Sequence, residues 1–393
     1  MKIGFVSHVF PPSWSGQAVM IGRILESMDP NDYCLISVAD YSQDGPGNDF
    51  ISRLPGKYYH LPPEKKINWR ENTKPIHHLN KIWAIMSRGR RIARILKAEG
   101  CEVVVAGTGD HVDLPAALVA GRLSGVPFYP YLFDDYLEQW RHDPMFFNLA
   151  QRINPLIYKF AAGAIAPNEF MADKIQKQYG LTPTIVRNPC PENVQESISP
   201  NLYTNEEEIV VLYSGAIYQV NFGPLKCLKE AMDLTGRPNL KLHLYTAQPE
   251  DYLACHGISG NHVVYVGHVP PSRIGTVQAS SHINFLPLGF DTPYPEIVKT
   301  SSPGKLGDYL ASGAPILAQV PEDSFVSYYL KKHDCAVVVN ECDPAALAAG
   351  LTKIIQDRQL RRKISSNARE RARIDFAPEK VRARFLAALR DKH

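Results

Sequence analysis

A chain of 393 residues exceeds what one hydrophobic core usually serves, so two domains are expected. Hydrophobic residues make up 45% and charged residues 21%, an ordinary globular balance, and no apolar run approaches the roughly 20 residues that span a bilayer. A net charge of +3 removes any global argument for nucleic acid, and seven scattered cysteines without a C-x-x-C pair fit reduced thiols in a cytoplasmic setting better than a disulfide framework or zinc site.

The first residues, Met1 to Ser7, carry one charge and a short apolar run that stops at His8. They read as a buried strand, not a signal peptide. The loop from His8 to Gln17 then leads into a helix without a G-x-G-x-x-G pattern, which argues against a dinucleotide enzyme. Gly16 lets backbone approach a ligand at a helix start, although a plain turn explains it nearly as well. His8 has two readings of equal weight, a contact to acceptor or donor and a simple cap.

Strand-like runs at 2–7, 33–38, 102–106, 127–131, 164–166 and 184–187 alternate with helical stretches at 17–28, 76–98, 114–123, 145–160 and 169–179. This is the pattern of a parallel sheet with crossover helices. The segment 64–97 holds ten basic residues (Lys65, Lys66, Arg70, Lys74, Lys81, Arg88, Arg90, Arg91, Arg94 and Lys97) against only Glu64 and Glu71, with apolar residues near helical period. Such a helix suits an anionic membrane surface; a core-packing helix with a solvated basic face is the even alternative. At the end of the fourth strand, Asp134 and Asp135 form an acidic pair beside Tyr131, Tyr136 and Trp140. A turn or an acceptor site fits the pair better than a metal, and the aromatic residues either stack on a sugar or fill core. His77, His78 and the other histidines lack zinc spacing.

Residues 191–208 are rich in Pro, Asn and Glu and read as a linker between domains at 1–190 and 209–376. A second α/β series follows, with strands at 209–214, 240–245, 262–266, 282–287, 315–320 and 336–339. Helices are expected at 224–234, 272–279, 305–312, 323–332, 344–356 and 358–373. The basic amphipathic stretch 377–393 has no strand left to connect and is expected to return to the first domain. Ligands of open α/β sheets bind beyond the carboxyl ends of the strands, so a cleft is expected between the two halves.

The most informative stretch is 303–315, Pro-Gly-Lys-Leu-Gly-Asp-Tyr-Leu-Ala-Ser-Gly-Ala-Pro. Free N–H groups at the start of its helix, with Lys305 on the first turn, suit a phosphate. Asp308, about one turn on, can accept from sugar or ribose hydroxyls. The plain alternative is ordinary capping, with Ser302 as N-cap, Pro303 at the first position and Gly313 past the end.

These landmarks, in their order, resemble the GT-B glycosyltransferases, in particular the large retaining family 4. The resemblance rests on Pro11-Pro12 with Ser15-Gly16, on Val126-Pro127 to Phe133-Asp134, and on Ile165 to Glu169 with Val186 to Pro189. In the second half it rests on Tyr213-Ser214-Gly215, on Val264 to Val269, and most specifically on Ser302 to Pro315. It implies two doubly wound Rossmann-like domains facing a central cleft, and transfer of a sugar from a nucleotide-diphosphate donor to a glycan or lipid-linked acceptor. Retention, peripheral placement at the inner face of a membrane, and no metal or other cofactor belong to the same expectation. Gly267, His268 and Val269 would face the base, Lys305 and the Gly215 loop the diphosphate, Asp308 the ribose, and Gly16 the phosphate or donor sugar, with Asn221, Ser302 and Gly304 also at the donor. Lys305 is the first candidate for leaving-group stabilisation, and Asp134 or Asp135 for the acceptor.

Departures from the family pattern are specific. Thr300 and Asp308 stand at the Glu-x7-Glu spacing, Phe133 replaces a histidine, and Ala216, Ile217 and Asn221 replace the expected cations. Glu296 would substitute for the missing glutamate only if its loop folds inward, and Lys226 is expected on a helix surface, with reaching into the site as its alternative. A sugar-nucleotide epimerase on the same fold, or a non-catalytic nucleotide-sugar-binding partner of another glycosyltransferase, are the competing expectations.

Overall fold

The computed structural model describes residues 1–13, 15–41, 52–64, 74–191 and 208–390. The chain divides into two units, Met1–Arg187 with Val381–His393, and Asn188–Lys380. Most of the expected linker, 192–207, lies outside the described residues, as do Lys65, Lys66 and Arg70 of the basic segment. The boundary expected after residue 190 moves back to Arg187. Asn188 donates to the Ser302 carbonyl at 2.6 Å and Cys190 N–H donates to the Phe376 carbonyl at 2.9 Å, which fasten both residues into the second unit.

In the first unit, β1 (Ile3–Val6), α1 (Gly16–Leu25), β2 (Tyr33–Ser37), β3 (Lys57–His60), α2 (Lys74–Glu99) and β4 (Val103–Gly107) come first. They are followed by α3 (Asp113–Ser124), β5 (Phe128–Tyr131), α4 (Phe147–Phe160), β6 (Ile165–Ala166), α5 (Glu169–Tyr179) and β7 (Thr184–Ile185). The seven strands lie in the order β3-β2-β1-β4-β5-β6-β7, all parallel. Central strands β1, β2 and β4 are buried along their whole length, as helices on both faces require. Gly4 shows how tightly they are covered: a Cβ there would lie 2.2 Å from Leu96 Cδ2 of α2. The edge strand β3, Lys-Tyr-Tyr-His, has too little apolar character to be read from sequence.

In the second unit the order of elements is β8 (Ile209–Ser214), α6 (Gln219–Leu234), β9 (Leu240–Tyr245), α7 (Glu250–Cys255), β10 (Val263–Tyr265), α8 (Pro271–Ser280) and β11 (Ile283–Pro287). Then come α9 (Pro295–Thr300), α10 (Gly304–Ser312), β12 (Ile316–Gln319), α11 (Phe325–His333), β13 (Val337–Val339), α12 (Pro344–Gln356) and α13 (Arg358–Arg371). Its sheet runs β10-β9-β8-β11-β12-β13, again all parallel. Helix α6 begins five residues before the expected start and carries Pro224 inside it. Asn221 Oδ1 accepts from Tyr218 N–H at 3.0 Å and sets the start, so Pro224 interrupts the ladder instead of opening the helix.

The last helix, α14 (Pro378–Ala388), belongs to the first unit from Val381 onward. Val381, Phe385 and Leu389 are buried there, with the Phe385 ring 6.3 Å from that of Phe5, and Tyr129 Oη donates to the Leu389 carbonyl at 3.2 Å.

Helix α2 divides its cations between interior and solvent. Arg88 is 4% exposed and holds Glu64 in a two-pronged pair at 2.8 and 2.9 Å, while its Nη1 also meets Asp110 at 2.7 Å and Asp113 at 2.6 Å. Burial, with the nearby Asp110 charge, lifts the Asp113 carboxyl to about 7 despite Arg88. One guanidinium thus offsets part of the repulsion among three carboxyl groups. Arg88→Ala is expected to cost about 3–5 kcal/mol, the usual cost of breaking a buried ion pair from one side, read as a loss of stability in urea unfolding.

Candidate active site

In a doubly wound sheet the crevice opens where strand order reverses, which in the second unit is between β8 and β11. Beyond β8 the chain turns at Gly215 with φ +110, a conformation that side chains other than glycine rarely adopt. The space over Gly215 is taken by Lys305, whose Nζ lies 3.6 Å from the position of a Cβ. Lys305 stands one residue into α10, so a strand end and a helix start separated by 90 residues in sequence share one place.

Lys305 is half-buried, donates to Tyr213 Oη at 2.8 Å and sits 3.9 Å from the centroid of that ring. Burial pushes its ammonium down to about 7, and Asp308 opposes the shift. An anion arriving here would restore the charged form, because an opposite charge favours the ammonium. Pro303 is the N-cap of α10 and supplies no side-chain cap, Gly304 opens the helix, and the Ser302 hydroxyl is buried without a hydrogen-bond partner. Of the first-turn amides, Leu306 N–H is taken by the Pro303 carbonyl at 2.9 Å.

The remaining residues expected at the donor are placed as follows. Asn221 is buried and its Oδ1 is engaged in capping α6. Gly267 follows β10 with φ +88, His268 is exposed and Val269 is half-buried on the same loop. Burial moves the His268 imidazole downward. Thr300 is buried at the end of α9, its hydroxyl donating to the Glu296 carbonyl at 3.0 Å. Lys226 is exposed on α6 with its Cε 3.1 Å from the Cβ position of Gly257, so it lies along the Gly257 turn.

The first unit collects a second group at the carboxyl ends of β1, β4 and β5. Thr108 Oγ1 accepts from Phe133 N–H at 3.0 Å and Asp134 N–H at 3.2 Å, fixing the backbone that presents the acidic pair. The pair then divides. Asp135 Oδ1 accepts from Leu137 N–H at 2.9 Å and Glu138 N–H at 3.0 Å, and Oδ2 meets Lys174 at 3.0 Å, so this carboxylate caps a turn. Asp134 has a single 3.4 Å contact from Gln139 Nε2, and burial pushes its carboxyl upward, Asp135 adding to the rise.

His8 Nδ1 is buried without a hydrogen-bond partner, and the ring occupies the space over Gly109, where a Cβ would come 2.1 Å from its Cε1. Burial holds the imidazole toward its neutral form, with Asp110 opposing. Phe133 stacks on Tyr131 at 4.4 Å, whereas Tyr136 is core and Trp140 stacks on His111 at 3.7 Å. Gly16 opens α1, with open space over it and the Ser15 hydroxyl accepting from Ala18 N–H at 3.2 Å. Among the described residues no group of three His, Cys, Asp or Glu side chains is arranged to hold a metal.

Sequence reasoning missed Tyr213 and Tyr309. Tyr309 Oη meets Ser214 N–H at 3.0 Å and Ser214 Oγ at 3.2 Å, and Tyr213 meets Lys305. Each aromatic residue reads as core in its own segment; the hydroxyl partner lies more than 90 residues away.

Two doubly wound parallel sheets, each with polar groups gathered at its carboxyl edge, make up the GT-B fold. Solved structures agree. Sucrose-phosphate synthase from Thermosynechococcus elongatus matches with a TM-score of 0.69 at 13% identity, over 99% of this chain and 98% of that one. Anabaena HepE in complex with UDP matches at 0.67 and 16%, over 99% and 100%. The UDP-forming trehalose-phosphate synthase from Burkholderia xenovorans, in complex with glucose-6-phosphate, matches at 0.66 and 11%, over 99% and 100%. Residues 194–371 match the family model described as Glycosyl transferases group 1, and over that part the chain is similar to glycosyltransferases of that group. No curated protein sequence matches the chain.

Burial of Lys305 has a measurable pH signature. The unfolded chain keeps this ammonium to about pH 10.5, whereas the folded protein releases the proton near 7, so this residue makes stability rise with pH between those values. Below about 7 both states are charged and the burial penalty is fully present. Lys305→Met is therefore expected to raise the melting temperature at pH 6 by about 2–4 °C. The gain should shrink toward pH 10; a gain independent of pH contradicts the buried ammonium.

Proposed function

We propose that this protein is a glycosyltransferase that moves a sugar from a nucleotide-diphosphate donor to a glycan or lipid-linked acceptor, in polysaccharide or glycolipid synthesis. The observation that carries the reading is the meeting of the Gly215 turn with Lys305 at the start of α10. A diphosphate leaving group needs positive potential where its charge develops. Lys305 and the helix start supply it without a metal, Asp308 takes the ribose hydroxyls, and the loop 267–269 takes the base. HepE, crystallised with UDP and with UDP-glucose, makes UDP the first base to test.

On the acceptor side, Asp134 is the carboxylate we assign to a sugar hydroxyl, since Asp135 is engaged in capping and in its pair with Lys174. The reaction proceeds with retention by substitution on one face, the leaving phosphate assisting removal of the acceptor proton.

Helix α2 supports peripheral attachment to an anionic membrane at the inner face. Leu79, Ile82 and Trp83 are exposed at 58%, 45% and 47%, and exposed Arg90, Arg94 and Lys97 continue the same helical face. Among the described residues no helix is long and apolar enough to cross a membrane.

Three measurements test these proposals. Thermal shift against UDP-, GDP- and ADP-sugars should single out one base, because a tight ligand stabilises by mass action. Lys305→Ala should lower turnover more than tenfold, about 1.4 kcal/mol of transition-state stabilisation, and unchanged turnover would sink the assignment. Co-sedimentation with anionic liposomes should weaken with salt and with Trp83→Glu; equal binding to neutral liposomes would remove the membrane proposal.

A further inference from the structure

The hydroxyl of Tyr213 joins the two elements on which the donor reading rests. Tyr213 is the penultimate residue of β8 and is fully buried. Its Oη donates to the Ala216 carbonyl at 2.7 Å and accepts from Lys305 Nζ at 2.8 Å. The directions follow from chemistry: a carbonyl only accepts, so the single phenolic hydrogen goes to Ala216 and a lone pair remains for the amine. Burial holds the phenol well above its usual range, so this hydrogen stays in place at working pH.

The ring contributes as well. Lys305 Nζ lies 3.9 Å from its centroid, within cation–π range, and the same Nζ occupies the space over Gly215. On the next residue, Ser214, the backbone N–H and the hydroxyl both meet Tyr309 of α10, and Gln278 Nε2 donates to Ser214 Oγ at 3.0 Å. The turn after β8 and the start of α10 are therefore fastened together through two phenols.

We propose that Tyr213 is a positioning residue, whose hydroxyl and ring hold Lys305 over the 215–216 turn so that the ammonium and the turn receive the donor's diphosphate as one preformed anion site. The proposal deepens the donor reading and rests on it. Its physical motive is the scarcity of cations at this turn, where Ala216, Ile217 and Asn221 stand. Where Lys305 carries the positive charge, the freedom its ammonium loses on binding weighs on affinity, and a lysine already held loses less of it.

The test uses the full chain and isothermal titration with UDP, GDP and ADP. Tyr213→Phe keeps the ring and removes only Oη. It is expected to weaken the best-bound nucleotide about five- to tenfold and to raise the donor KM while the acceptor KM stays unchanged. The effects of Tyr213→Phe and Lys305→Ala should be non-additive, because the first acts through the second. Lys305→Arg, which keeps the charge but not the amine geometry on the phenol, should also weaken binding, and it tests the proposal without altering the core tyrosine. Wild-type affinity in Tyr213→Phe, strict additivity with Lys305→Ala, or full affinity in Lys305→Arg would each overturn the positioning role. Unchanged nucleotide binding in Lys305→Ala, or no binding of any of the three by the unaltered protein, would instead overturn the donor reading itself.

Discussion

All strands in both sheets run parallel, so each unit must bring the carboxyl ends of its strands, and the amino ends of the helices that follow, to a single edge. Backbone N–H groups and positive helix ends collect there whatever the side chains are. Polar side chains collect at that edge too. In the first unit these are His8, Thr108 and Asp134; in the second they are Ser214 and Lys305, beside the Gly215 turn. The apolar strands behind them are interchangeable in chemistry, since their task is to hold register.

Lys305 shows what this edge demands of a side chain. Its position against the Tyr213 ring and over the Gly215 turn partly desolvates the ammonium, which is why its proton is held less tightly than usual. The same desolvation strengthens any charge–charge interaction made there, because the surroundings screen it less than water does. A group that lowers the stability of the empty protein is in this way suited to meet an anionic ligand. The phenols of Tyr213 and Tyr309 keep the arrangement from relaxing outward into solvent.

Helix α2 illustrates how one pattern of residues serves two ends. Its cations look alike in sequence, yet Arg88 is turned inward onto Glu64, Asp110 and Asp113 while Arg90, Arg94 and Lys97 face solvent. Arg91 is partly committed too, donating to the Pro62 carbonyl at 2.6 Å. One side of this element thus packs into the core, while the other leaves basic and apolar residues exposed. Asp110, one of the carboxylates on Arg88, also acts on His8, so the buried pair borders the polar edge of this unit.

The sequence by itself determined the alternation of strands and helices, because apolar runs of four to six residues between amphipathic stretches leave few other ways to bury both faces of a sheet. It also places Lys305 on the first turn of a helix, since Pro303, Gly304 and Gly313 punctuate that helix locally. The edge strand β3 and the true start of α6 were not legible, as one has no apolar signature and the other begins before its proline. Only the tertiary structure decided that Asp134 and Asp135 differ, that Arg88 is internal, and that Tyr213 and Tyr309 hold the turn to α10. Each of those outcomes depends on partners brought together by folding, such as Lys174 to Asp135 or Lys305 to Tyr213. Hydrogen bonds of that kind are set by distance in space, and sequence separation carries no record of them.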